Sequence, residues 1–231
     1  IFDEMSIMPH IDYDKYTDTF FGFQNFGFEQ NLQIADHVLV FFIRGVFKKW
    51  QQPIYFAFSF SSTKSYILTT IIKTLVEKIQ NCGFKILVTI CDQGQPNQAA
   101  INSLLKESKQ RYIHKGMEPK RRILLGDQEI IPLYDTPHLI KCIRNNLLTK
   151  NLVWKTSEEI LVANWKHIID AYYSDQTCGE LRALHKITDL HVIPEKIQKM
   201  KVCYATQVLS HSMASTITLL VKSSKYKFKN N

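Results

Sequence analysis

Two aspartates occupy places where a sequence could put phosphoryl chemistry. Asp3 lies in the first short β-favouring run, and Asp92 directly follows residues 85–91, a run made largely apolar by Ile86, Leu87, Val88 and Ile90. Carboxylates drawn together from segments this far apart repel one another, and a divalent cation with hard oxygen ligands offsets that repulsion. Two Mg²⁺ ions held ~3.5–4 Å apart can activate an attacking hydroxyl and stabilise a leaving oxygen, the chemistry of cutting and joining DNA. Spacing alone does not separate this from the commoner duty of a strand-end aspartate, which is to close a turn or cap a helix. Glu4 is next to Asp3, but alternation along a strand turns it to the opposite face and out of the same ligand set. Gly94 removes side-chain bulk beside Asp92, which either helps a phosphate approach or merely closes strand onto helix.

Competing chemistries find less support. The five cysteines, Cys82, Cys91, Cys142, Cys178 and Cys203, are odd in number and contain no C-x-x-C pair, which argues against a disulfide framework and a zinc module. His185 and His191 lack metal-ligand spacing. The chain has no nucleophile elbow and no Gly-rich phosphate loop. No apolar run approaches the ~20 residues that a membrane span needs, so no membrane partner is expected. Lys and Arg outnumber Asp and Glu by 29 to 21, for a net charge of +8, which favours polyanionic partners. The charges are segregated: residues 1–36 hold seven acids against Lys15, whereas residues 186–231 hold eight lysines against Asp189 and Glu195. A metal site beside a phosphate-binding surface fits that pattern, and so do two solvated faces of opposite sign. Lys120, Arg121 and Arg122 read first as a solvated loop and second as a DNA contact.

The elements that must position the aspartates follow from periodicity. Residues 1–7 read as a strand and residues 10–33 as a long aromatic connection. Residues 38–43 and 54–60 are apolar strands whose link is too short for a helical crossover, so they pair antiparallel. From Ser65 to Asn81 the residues Ile67, Leu68, Ile71, Ile72, Leu75 and Val76 keep helical rhythm, and Gly83 lies just past the end. The run at 85–91 is apolar enough for a central parallel strand. A helix follows from Asn97 as N-cap, then a basic loop, then a strand at 129–134 that Pro132 assigns to a sheet edge. A right-handed crossover through the Ser65 helix sets the fourth strand parallel to the first in the sheet centre, with Asp3 and Asp92 side by side. Beyond residue 134 the pattern turns helical: a helix opened by Pro137, with Leu139, Ile140, Ile143 and Leu147 on one face, then helices at 158–173 and 204–221. Residues 222–231 read as frayed. Residue 1 is Ile with no signal peptide before it, so the chain reads as an excerpt of a longer protein.

Five strings then become recognisable: Phe2-Asp3-Glu4-Met5; Cys91-Asp92-Gln93-Gly94 with Asn97; Tyr134-Asp135-Thr136-Pro137-His138-Leu139-Ile140-Lys141; Arg144-Asn145-Asn146-Leu147-Leu148; and Lys199-Met200-Lys201-Val202. In this order, over nearly the whole chain, they resemble the P-element transposases and their THAP-domain relatives. The resemblance implies an α/β fold, an RNase H-like mixed five-stranded sheet with helices, followed by a mostly helical insertion domain. Residues 1–135 would be the catalytic core, lacking its final helix, and residues 136–231 part of the insertion domain. Asp3 and Asp92 then fall on the first and second acidic positions of the family's catalytic triad, as ligands of Mg²⁺ in a two-metal site. The third acid, a Glu, is expected beyond Asn231, since Glu158, Glu159 and Asp170 match no catalytic motif. The family's insertion domain binds GTP; Lys186 is a candidate contact and the other GTP contacts are unassigned. The implied activity is that of a nuclear DNA transposase, with transposon ends, target DNA, GTP and further copies of itself as partners, while this chain alone is expected to be inactive. The alternative is a domesticated relative kept as a DNA-binding or assembly scaffold without cleavage. An unrelated two-metal nuclease would not carry the insertion-domain strings.

Overall fold

The computed structural model describes residues 1–222, the side chain of Glu180 excepted. The fraying expected at 222–231 falls, from residue 223 on, outside the described residues. The chain divides into two compact units, Ile1–Asp135 and Thr136–Asn231.

In the first unit the order is β1 (Phe2–Ser6), β2 (Asp12–Asp14), β3 (Thr19–Phe21), β4 (Phe23–Asn25), β5 (Gln30–Ile34), β6 (His37–Arg44), β7 (Gln51–Ser59), α1 (Ser65–Asn81), β8 (Val88–Cys91), α2 (Gln95–His114), β9 (Ile123–Leu125) and β10 (Gln128–Tyr134). One hydrogen-bonded sheet runs β1-β6-β7-β4-β5 and a second runs β8-β10-β9. The five strands read from the sequence are thus β1, β6, β7, β8 and β10, in the mixed α/β class expected. The sheet centre differs from expectation: β1 ends its hydrogen-bonded sheet, and β8 lies beside it without joining the ladder.

Alternation decides which face the helices cover. Ala57 and Ser59 of β7 are buried, as are Phe2 of β1 and Leu39 and Phe41 of β6, and against this set pack Ile67, Leu68, Ile71 and Ile72 of α1 with Ala100, Ile101 and Leu104 of α2. Burying each such aliphatic or aromatic side chain contributes about 1.5–3 kcal/mol. The intervening residues are apolar yet exposed, Phe56 by 64%, Met5 by 60% and Leu133 by 48%, so the second sheet face carries apolar side chains open to solvent.

Residues 10–33 are not a plain connection, because they contain β2 to β5. These strands are only three to five residues long and pair locally, β2 with β3 and β4 with β5, and runs that short hold too few alternations to leave a periodic signal. Gly22 makes the turn between β3 and β4 at φ 107°, where a Cβ would collide with the His10 carbonyl oxygen. Pro132 does not mark an edge strand, since β10 lies between β8 and β9. Ile131 and Asp135 donate their N–H groups to Leu87 and Cys91 of the β8 side, so the proline nitrogen in between faces the other side, where β9 pairing has already stopped at Ile130. The edge is local to one side of one residue.

The second unit contains α3 (Thr136–Leu147), β11 (Leu152–Lys155), β12 (Ile160–Ala163), α4 (Trp165–Gln176), a 3₁₀ turn at Gly179–Leu181, α5 (Asp189–Val192), α6 (Val202–Val208) and α7 (His211–Lys222). The helix expected at 158–173 is instead a strand followed by α4, because Ile160 and Leu161 belong to an antiparallel hairpin with β11 and Asn164 caps a fresh helix start. Likewise 204–221 breaks at Leu209 and Ser210 into α6 and α7. The face assigned to α3 also shifts, for Ile143 is 55% exposed whereas Arg144 is fully buried. The core gathers Trp165, Ile168 and Tyr172 of α4 with Leu184, Ile187, Val192, Val208 and Met213. Trp165 Nε1 donates to the Val192 carbonyl at 2.8 Å, so the indole is both packed and satisfied.

Candidate active site and nucleotide-binding unit

Asp92 sits at the mouth of α2, whose N-cap, Gly94, has no side chain to offer. The Asp92 carboxylate replaces that cap: its Oδ1 accepts the Gly94 N–H at 2.8 Å and the Asn97 side-chain amide at 2.6 Å. Asn97, read from the sequence as an N-cap, instead anchors the aspartate from one turn inside the helix. A Cβ on Gly94 would approach Oδ1 to 3.0 Å, so the glycine keeps room for the carboxylate. The two duties that spacing could not separate are divided between oxygens, because the turn takes Oδ1 in both bonds and leaves Oδ2 out of them.

Asp3 lies on β1 opposite Val40 of β6, is exposed, and accepts the Glu4 N–H at 2.9 Å through Oδ1. Its neighbour behaves quite differently. Glu4 Oε1 accepts from Ser59 Oγ at 3.1 Å, Thr63 N at 2.9 Å and Thr63 Oγ1 at 2.6 Å, while Oε2 accepts from Ser62 Oγ at 2.9 Å. Glu4 therefore ties β1 to the segment that leads into α1, and alternation along β1 separates a structural carboxylate from an open one.

The buried thiol of Cys91 registers both aspartates. Burial is the main cause that pushes its pKa up to about 12, and the charges of Asp92 and Asp3 push in the same direction. Together with the approach of β1 to β8, this places both carboxylates at neighbouring strand ends. Asp135 donates its N–H to the Cys91 carbonyl at 2.8 Å, which brings the end of β10 to the same place. Among the described residues no group of three or more His, Cys, Asp or Glu side chains is arranged to hold a metal ion. The described residues also include no helix long and apolar enough to cross a membrane.

The basic loop spends much of its charge internally. Lys120 and Arg122 both bond Glu129, at 3.0 and 2.6 Å, and hold its carboxyl down to about 2, while Lys115 pairs with Asp127 at 3.0 Å. In the second unit Lys186 is exposed in the turn before α5. His185 is exposed, whereas His191 is buried as the capping residue of α5, bonded to Thr188 and to Gln207 at 2.6 Å. Glu158 and Glu159 lie in the β11–β12 turn.

Comparison with known proteins bears on both units. Residues 1–105 match the TNP-like RNase H N-terminal domain, and residues 137–231 match the TNP-like GTP-binding insertion domain. The chain belongs to the P-element transposase family. It is similar to the "Transposable element P transposase" of Drosophila melanogaster, 27% identical over 224 residues that cover 94% of this chain and 25% of the relative. A second relative is "DNA transposase THAP9" of Homo sapiens, 21% identical over 98% of this chain and 24% of the relative. The chain spans about a quarter of the length of these P-element relatives. Its fold is similar to that in the "Drosophila P element transposase strand transfer complex", with a TM-score of 0.71 and 27% identity, covering 99% of this chain and 45% of that one. An RNase H-like domain followed by a P-element insertion domain is thus the architecture of this chain.

Proposed function

We propose that these residues carry catalytic and nucleotide-binding parts of a P-element-like DNA transposase, with Asp3 and Asp92 as two of its catalytic acids. The observation that carries the reading is the meeting of β1 and β8, which puts both carboxylates within electrostatic reach of one buried thiol. The donor set is hard oxygen and suits Mg²⁺: Asp3 is exposed, and Asp92 keeps Oδ2 outside the turn. When bound, a pair of such ions supplies activation of the attacking oxygen and stabilisation of the leaving one. The chain's own residues supply position. Gly94 and Asn97 fix the Asp92 carboxylate, and Glu4 fixes the strand that carries Asp3. The substrates would be transposon-end and target DNA in the nucleus, with self-association of the enzyme on them; the likeness to a strand transfer complex supports that reading.

A two-metal displacement needs ligands beyond two carboxylates. Purified residues 1–231 are therefore expected to show no Mg²⁺-dependent cleavage of transposon-end DNA. Cleavage that disappears on Asp3→Asn would show instead that a third ligand lies within this chain.

The second unit we read as binding GTP, on the match of residues 137–231 to a GTP-binding insertion domain. A ligand that binds only the folded state stabilises it by RT ln(1 + [L]/Kd), about 2.7 kcal/mol at a hundredfold excess over Kd. Saturating GTP should raise the thermal midpoint of a protein containing the whole insertion domain. A midpoint that ignores GTP would remove the nucleotide from the proposal.

A further inference from the structure

The second unit treats two arginines in opposite ways. Arg182 has a carboxylate: its Nε donates to Asp175 Oδ2 at 3.1 Å, and Asp175, 4% exposed, also accepts the Ala183 and Leu184 N–H groups. Arg144, at 0% exposure the least exposed charged side chain among the described residues, has none. Its Nε donates to Asn145 Oδ1 at 2.8 Å, and its Nη2 donates to the Gln198 and Lys199 carbonyls at 3.4 and 3.1 Å. Its Nη1 is buried and has no partner among the described residues. Asn145 Nδ2 donates to the same Lys199 carbonyl at 3.3 Å, so the segment before α6 is held against α3 from two side chains.

A guanidinium does not shed its proton to escape such a position, although burial pulls the Arg144 pKa down from its ordinary value. Carbonyl dipoles offset only part of a buried charge, and a buried charge left without a counter-charge is strongly unfavourable. The planar fork is matched by an oxyanion that can accept two parallel N–H bonds. The local sequence adds positive charge rather than a carboxylate: Lys199, whose carbonyl Arg144 holds, forms no ion pair among the described residues. We propose that Arg144 forms the floor of an oxyanion site in the second unit and takes a phosphate group through its unpartnered Nη1. The proposal rests on the reading of this unit as nucleotide-binding, which makes a nucleotide phosphate the favoured source; inorganic phosphate offers the same chemistry.

The test titrates a protein that contains this chain and the whole insertion domain with GTP, guanosine and inorganic phosphate at constant ionic strength, as wild type, Arg144→Lys and Arg144→Leu. Loss of the fork should weaken GTP binding about tenfold or more while leaving guanosine affinity unchanged, since a charge-assisted pair is lost and the base contacts are not. If inorganic phosphate alone protects the wild type and neither variant, the oxyanion site stands even where GTP fails to bind, and the nucleotide reading of the unit falls by itself. Equal losses for GTP and guanosine, or unchanged affinity in Arg144→Lys, would reduce Arg144 to a clasp on the Lys199 carbonyl and overturn the proposal. So would a wild type that responds to neither GTP nor phosphate. Circular dichroism decides whether Arg144→Leu folds, and Arg144→Lys carries the test if it does not.

Discussion

If the proposed function holds, Asp92→Asn in the intact protein should lower Mg²⁺-dependent cleavage of transposon-end DNA by more than about a hundredfold, beyond the ~10–100-fold losses that changes around a metal's ligands bring. The amide can still accept the Gly94 N–H, so the turn into α2 should survive and the fold with it. DNA affinity should change little, because phosphate contacts by basic side chains do not depend on the metal ligand. The measurement is cleavage by gel beside binding by anisotropy on the same protein. Parallel loss of both activities would mean that Asp92 serves the fold, as its bonds to Gly94 and Asn97 already allow, and that its charge has no part in catalysis.

Glu4→Ala should destabilise the first unit by about 2–4 kcal/mol. The carboxylate accepts four hydrogen bonds from Ser59, Ser62 and Thr63, and its removal leaves partly buried donors without a partner. Glu4→Gln keeps an acceptor at the Oε1 position, which takes three of the four bonds, and should lose about half as much. Asp3→Ala, one residue away, removes an exposed side chain that bonds the N–H of its own neighbour, and should stay within about 0.5 kcal/mol. Urea unfolding of the three variants checks the order. Equal destabilisation by Asp3→Ala and Glu4→Ala would contradict the division of labour between the two faces of β1.

The parts of this fold that announce themselves in the sequence are those with a long, uninterrupted local rhythm. The bounds of α1 could be read residue for residue because seventeen positions hold a helical period and Gly83 ends it. The end of β8 could be read because an apolar run stops at a carboxylate. Hidden were the elements too short to show a period: β2 to β5 span three to five residues each and β11 four, while β12 shared its apolar residues with a helical pattern that continues into α4. At the site, the opposed roles of Asp3 and Glu4 follow from strand alternation alone, but the bond from Asn97 to Asp92 does not, since an asparagine there serves equally as a cap. Arg144 was visible only as part of a recognisable string. Its burial depends on the carbonyls of Gln198 and Lys199, more than fifty residues away, and no local pattern carries that information.

Whether Asp3 and Asp92 share a divalent cation is tested most directly by a structure of the intact protein on a transposon end with Mn²⁺ in place of Mg²⁺, read by anomalous scattering. The expected result is a peak about 2.1 Å from an oxygen of each aspartate, the distance typical of a small hard cation. A peak bound to only one of them, or ordered DNA with the ion held wholly by other residues, would contradict the shared site.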